Sequence, residues 1–357
     1  MKSHSYRFGV CAVLALLAAG CGTAPLEEDI GEIQQGLSFG TWETVTGTVA
    51  AQHGVAFTSH RTDRLWALAV PYTNKISMNT WQPSTWEGWT GASPDPNVLT
   101  RPAAASWFSS ATGSAGNRNN VAAYVGSDGK IRLASYMYNA GGWSTWSAMT
   151  DTNIAFATPA LAYANGWLYL FVKKIDNKVY WKRNDVTDTS YSFSNWSANW
   201  TQMDNQLIDG GLAAAGFSST GIVVVGAKRD GSNVPQCAFN TITASTGVDG
   251  TWANISPGCG IADFSTPALA NTSLTDNGPA QLVINKNSDF KLKTTNFDGT
   301  WDPFTNVPST GGAGCGTTSS PTISYVGFDG VSTSPFMAIG AMCQGDLYFS
   351  WIKAYIP

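Results

Sequence analysis

The chain has 357 residues, of which only 12% are charged, and it carries a formal net charge of −4 with 37 glycines and 15 tryptophans. That composition excludes a disordered chain, which would be rich in charge and poor in aromatic residues. Weak acidity without a basic stripe also argues against a nucleic-acid surface, so no nucleic-acid partner is expected.

At the N-terminus Lys2 and Arg7 precede the apolar run FGVCAVLALLAAG, and Cys21 follows it. A basic stretch followed by a short apolar core reads as a secretory signal, too short for a stable membrane span. Leu17-Ala18-Ala19-Gly20-Cys21 resembles a bacterial lipobox. The resemblance implies cleavage after Gly20 and lipidation of the Cys21 thiol, with two or more acyl chains holding the protein stably on a membrane. Gly22 follows the cysteine rather than Asp, which suits export to the outer membrane of a Gram-negative envelope. We therefore expect a signal peptide over 1–20 and a flexible acidic tether over 21–36, with Glu27, Glu28, Asp29 and Glu32 in it. The lipid anchor is the only membrane contact expected.

From residue 37 onward no long window shows apolar residues at helical spacing. Short alternating runs bounded by Gly, Asn and Asp dominate, which predicts an all-β fold. The runs repeat. Thr158-Pro159-Ala160-Leu161-Ala162 returns as Thr266-Pro267-Ala268-Leu269-Ala270, with weaker relatives starting near 49, 101, 211 and 320. Each unit continues with an apolar run such as LWALAV (65–70) or LYLFVKK (168–174), then a polar turn such as SDGK or IDNK, then a third run. It closes on a tryptophan segment such as TWEGW or GWSTW. Four short strands per unit of roughly 50 residues is the pattern of a β-propeller blade. The reading is a six-bladed propeller of four-stranded antiparallel blades over 37–357, with seven blades the alternative. The sixth unit, from Ser320 to Pro357, lacks its closing tryptophan segment. The stranded Gly40-Thr41-Trp42 supplies it, so an N-terminal strand is expected to close the ring and leave no free edge.

Beyond the signal the chain keeps Cys237, Cys259, Cys315 and Cys343. An even number in an exported chain suggests disulfides. Among the three connectivities, the blade arrangement selects Cys237–Cys259 and Cys315–Cys343, because antiparallel neighbours bring those strand ends together. A zinc site is not expected, since no C-x-x-C pair is present. No cofactor motif appears either.

Catalysis finds little support. Glycoside hydrolysis usually needs two carboxylates flanking the bond, and beyond the tether Glu43 and Glu87 are the sole glutamates. Asp128, Asp176, Asp230, Asp289 and Asp298 fall in turns, where an aspartate caps backbone N–H groups. His53 and His60 are the remaining candidates for acid–base work and read as ordinary surface residues. Abundant Trp and Asn at low charge fit glycan binding better, because indole faces cover sugar C–H surfaces and polar groups meet the hydroxyl rim. Trp42, Trp143, Trp252 and Trp301, with Trp196 as their counterpart in the third unit, are read as recurring at one closing position and are assigned to packing. Trp81, Trp86, Trp89, Trp146, Trp181 and Trp200 are not shared by every unit and are the ligand-binding candidates.

The units closing on W-x-x-W (Trp86/Trp89, Trp143/Trp146) resemble bacterial and fungal propeller lectins, both the six-bladed fucose-binding and the seven-bladed Photorhabdus-type lectins. The resemblance covers 37–357 as a repeat pattern. It implies a non-catalytic, lectin-like protein whose partners are glycans or polysaccharide. The Arg, Glu and aromatic that fucose lectins carry in each blade do not recur here, so fucose itself is not implied. An adhesion propeller with an envelope protein as partner is the second reading, and a polysaccharide hydrolase or lyase the third.

The N-terminal reading has a direct test. Cys21→Ser should abolish incorporation of labelled palmitate and move the protein from the membrane to the soluble fraction. An unchanged fractionation would refute the anchor.

Overall fold

The structure is a computed structural model. It describes residues 37–45, 51–61, 64–71, 73–82, 85–91, 98–107, 118–138, 141–150, 153–186, 192–217, 221–229, 236–255, 266–271, 280–286, 289–295, 301, 305–307, 320–327, 336–343 and 346–354. The signal and tether segments and Cys21 lie outside them.

The fold is an all-β propeller with antiparallel blades. Among the described residues the strands form six antiparallel sheets. Their first strands are Ala51–Arg61, Ala103–Trp107, Ala160–Ala164, Ile208–Phe217, Ala268–Asn271 and Pro321–Gly327. Each of these contacts the first strand of the next sheet, and the last returns to the first, so they surround a common axis. Small residues such as Ala103–Ala105 and Ala213–Ala215 permit that crowding.

Turn chemistry follows the sequence closely. Asn165 and Gly166 have φ of 47° and 84°, the pair of positive values that a tight I′ hairpin requires, and they join Ala160–Ala164 to Trp167–Lys173. Asp128 and Asp176 each accept a hydrogen bond from the backbone N–H two residues on, at 3.2 Å in both cases, so these two act as turn caps. Second strands run through the middle of their sheets and are packed on both faces. Asn119–Val125 is buried at every position, which explains its near-continuous apolar sequence.

Six apolar clusters hold the sheets together, and each is shared by two neighbouring sheets. One of them joins the last sheet to the first: Val326, Ala338, Leu347 and Phe349 pack with Val55, Phe57, Leu65 and Trp81. Phe57 can lie against the last sheet because Gly340 has no side chain there; a Cβ at that position would collide with the Phe57 ring.

The last sheet is completed by the start of the described chain. Leu37–Phe39 and Glu43–Thr44 both pair antiparallel with Asp346–Ala354, in the registers Phe39 to Ile352 and Glu43 to Phe349. Ser350 is buried and its Oγ donates to the Gly40 carbonyl at 2.8 Å. Val45, 3% exposed, joins the cluster between the last and first sheets, and Trp42 packs into the one before it.

The register also explains the W-x-x-W motif and corrects one grouping. Residues three apart on a regular strand face opposite sides. Trp86 and Trp143 lie opposite Trp81 and Tyr136 of their third strands. Thr90 and Ser147, just after Trp89 and Trp146, lie opposite Met78 and Leu133. Three residues on the outer strand thus advance only two on its partner. The extra residue acts as a bulge and turns both indoles to one side. Trp86 and Trp89 share one seam, and Trp143 and Trp146 share another. By the same register Trp42, Trp200 and Trp252 align with Trp89 and Trp146. Trp143 therefore belongs with Trp86 and Trp196, not with Trp42 and Trp252 as their sequence spacing suggests.

Cys343 is 1% exposed and disulfide-bonded. Cys259 and Cys315 lie outside the described residues, so the two pairings stay proposals.

Ring closure is open to direct test. Deleting residues 37–45 should leave Asp346–Ala354 as a bare edge, so that the truncated chain self-associates on size-exclusion chromatography. Monomeric truncated protein with an unchanged melting temperature would overturn this account. Ser350→Ala, which removes the clasp to Gly40 alone, should cost about 1 kcal/mol in chemical denaturation.

Candidate functional site

Two kinds of place come into question: the seams between sheets, where the tryptophans named as ligand-binding candidates lie, and the axis of the ring. At the seams the expected exposure is not found. Trp81 is 8% exposed and Trp181 6%, and both belong to apolar clusters. Their positions on third strands point them into a seam, so the expectation of solvent-facing rings is corrected for these two. Trp86, Trp89, Trp146 and Trp200 are half-buried and pack against seams. Trp86 meets Phe349 edge-on at 5.3 Å, and Trp146 lies 4.8 Å from the Tyr124 ring. Recurrence at one register position, rather than a site in one blade, accounts for Trp89, Trp146 and Trp200.

Trp200 retains the most polar surroundings. The ammonium groups of Lys174 and Lys182 lie 5.6 Å and 5.3 Å from its ring centroid, within cation–π range. Nearby, Tyr180 donates its hydroxyl to Asp176 at 2.8 Å, which raises the phenol above its ordinary pKa. The indole N–H groups of Trp86, Trp89, Trp181 and Trp200 are buried and have no hydrogen-bond partner among the described residues. Buried donors of this kind usually meet an acceptor, protein or water.

Along the axis lies a site the sequence reading did not name. One end is a cavity of about 100 Å³ to which all six first strands contribute. Its rim combines the aromatic residues Trp107, Tyr163 and Tyr325 with Ser106, Asn271 and Arg118. The Arg118 guanidinium lies 5.3 Å above the Tyr325 ring centroid and donates to Ser106 Oγ at 3.4 Å. Behind the rim, Thr58 donates to Asn120 Oδ1 at 2.8 Å and Asn120 donates to the Arg118 carbonyl at 3.2 Å, which fixes the start of that strand. Asn271 donates to the Gly216 carbonyl at 2.9 Å and links two neighbouring sheets.

Farther in, the channel narrows to a waist of Phe57, Ala104, Leu161, Ala214, Leu269 and Ile323, one residue from each first strand. Beyond the waist a second space of about 50 Å³ is lined by Arg101, Pro102, Pro159 and Thr322 among others. Of the alanine-rich seeds, Ala104 and Ala214 take small side chains to the waist, whereas Phe57, Leu161, Leu269 and Ile323 also belong to the seam clusters. The rim residues come at the ends of those seeds, as in Ala103–Trp107 and Ala268–Asn271, and that step from small to large or polar is the signal that could have located them.

No acid–base pair emerges at this site. Among the described residues lining either space, none is acidic. Of the two histidines beyond the signal, burial pushes His53 below its ordinary pKa, so it is neutral near pH 7; the His60 side chain lies outside the described residues.

No family model and no curated protein sequence matches the chain. Solved structures do. The BP39L lectin from Burkholderia pseudomallei matches with a TM-score of 0.58 at 14% identity over 85% of this chain and 82% of that one. The lectin of Aleuria aurantia, described as a six-bladed β-propeller with a novel fucose recognition mode, matches with a TM-score of 0.55 at 12% identity, covering 87% and 93%. An α-L-arabinofuranosidase from Fusarium graminearum matches with a TM-score of 0.51 at 10% identity, covering 88% and 96%. At such identities the likeness is one of fold, and in architecture the chain resembles the β-propeller lectins of bacteria and fungi.

Proposed function

We propose that this chain is a non-catalytic glycan-binding propeller whose six sheets are six blades, with its principal ligand site at the wide end of the axis. The observation that carries the reading is the rim itself. Trp107, Tyr163 and Tyr325 line one concave space together with hydroxyl, amide and guanidinium groups; Tyr163 offers a half-buried ring, while Trp107 and Tyr325 are buried in its wall. A sugar needs that combination: an apolar face to stack on and directed polar groups for its hydroxyls. The fucose-binding lectin among the structural neighbours supports the class of ligand. The half-buried seam indoles, Trp200 above all, are secondary candidates. A hydrolase reading, which the arabinofuranosidase neighbour raises, would need two carboxylates flanking the bond, and the described rim supplies none. Export through the 1–20 signal and anchoring through Cys21 at the outer membrane belong to the same proposal. They would place the propeller where external polysaccharide is met.

A glycan array probed with the folded protein, followed by titration calorimetry on any hit, tests the reading. Tyr163→Ala removes a half-buried ring from the rim and should weaken binding about tenfold, the loss expected for one stacking contact. Tyr325→Phe removes one hydroxyl and should weaken it less. Trp200→Ala should leave affinity for the axial ligand unchanged. A blank array and a blank polysaccharide pull-down would refute glycan binding. Affinity lost in Trp200→Ala and kept in Tyr163→Ala would move the site to the seam.

A further inference from the structure

Among the described residues, the far end of the channel holds a charge without a counter-charge. Arg101 precedes the first strand of the second sheet and is 8% exposed. Its side chain crosses the axis and donates to the carbonyls of Pro321 and Pro267, on the sixth and fifth sheets. Its Nε–H is buried and has no hydrogen-bond partner among the described residues. None of the described residues lining this end is a carboxylate. Room for the side chain is specially made. Gly54, with φ of +89°, leaves space where a Cβ would stand 3.1 Å from Arg101 Cδ.

A buried guanidinium is costly unless it is paired, because low-dielectric surroundings disfavour an isolated charge. Two peptide carbonyls offset part of that cost and leave the net charge in place. Desolvation pushes the Arg101 pKa down to about 10, so the group is still cationic near neutral pH. The space beside it, about 50 Å³, has the size for one small ion or one carboxylate group and not for a sugar ring.

We propose that the narrow end of the axial channel is an anion-binding site, in which the Arg101 guanidinium holds a halide or a single carboxylate group. The site is separate from the rim proposed for glycans and does not depend on that reading. Its occupant completes the charge balance of the ring interior, so binding stabilises the fold. A purely structural brace from Arg101 to the two carbonyls would show no preference among anions.

Thermal unfolding of the purified full chain distinguishes the two. The protein is dialysed into sodium gluconate, whose anion is too large for the space, and titrated at constant ionic strength with chloride or with acetate. The melting temperature should rise saturably, by about 4 °C at a hundredfold excess over the midpoint concentration. Whichever salt saturates at the lower concentration identifies the anion as halide or carboxylate. Arg101→Met should abolish the anion-dependent shift. If that variant does not fold, a crystal of the unaltered protein soaked in bromide decides, with an anomalous peak expected within about 3.5 Å of a guanidinium nitrogen of Arg101. Equal melting temperatures in all salts, a full chloride shift in Arg101→Met, or a bromide soak without a peak at Arg101 would each overturn the proposal.

Discussion

Everything in this molecule depends on closing a ring of sheets. Each sheet buries its two faces in seams with its neighbours, and a ring has no terminal sheet with a bare face. The vulnerable point is where the chain ends meet. There the third strand, Asp346–Ala354, would present unpaired backbone groups. Leu37–Phe39 and Glu43–Thr44 cover them, and Ser350 fastens the joint at Gly40. Pairing residues more than 300 positions apart makes closure a property of the whole chain. The seam between the last and first sheets, with Phe57 over Gly340, adds apolar contact to the hydrogen bonds.

The tryptophans serve that closure before they serve anything else. Their repetition looks like a binding signature, yet most are packed edge to face in the seams, as Trp86 is on Phe349 and Trp81 is on Trp351 at 4.6 Å. Such contacts add to the area they bury. The bulge inside W-x-x-W is the device that makes two indoles available to one seam. It spends an outer-strand residue to do so, which is why outer strands are as short as Thr85–Trp86 and Gly142–Trp143.

Converging six first strands on one axis creates the second feature of the fold, a channel that differs at its two ends. The waist combines Ala104 and Ala214 with four larger residues that also belong to seam clusters, and the two ends differ. One end widens and carries aromatic and polar side chains. The other is narrow and is crossed by a buried arginine. Both ends are built by residues far apart in sequence, and their chemistry comes from which sheet faces which across the axis.

From the residues alone, the all-β class, the repeat and the role of Gly40-Thr41-Trp42 were legible, because alternation, turn residues and a missing final strand are local patterns with few solutions. Asp128 and Asp176 could be read as turn caps for the same reason. The grouping of Trp143 with Trp42 was not legible. Its correction rests on one extra residue in an outer strand, and only the pairing with a third strand reveals which residue is extra. Nor could the sequence distinguish buried from exposed indoles, since Trp81 and Trp181 are hidden by a neighbouring sheet and not by their own. Arg101 shows the limit most clearly. In the sequence it is one of several scattered arginines, and only the closed ring brings it against the carbonyls of Pro267 and Pro321 in a space without a carboxylate.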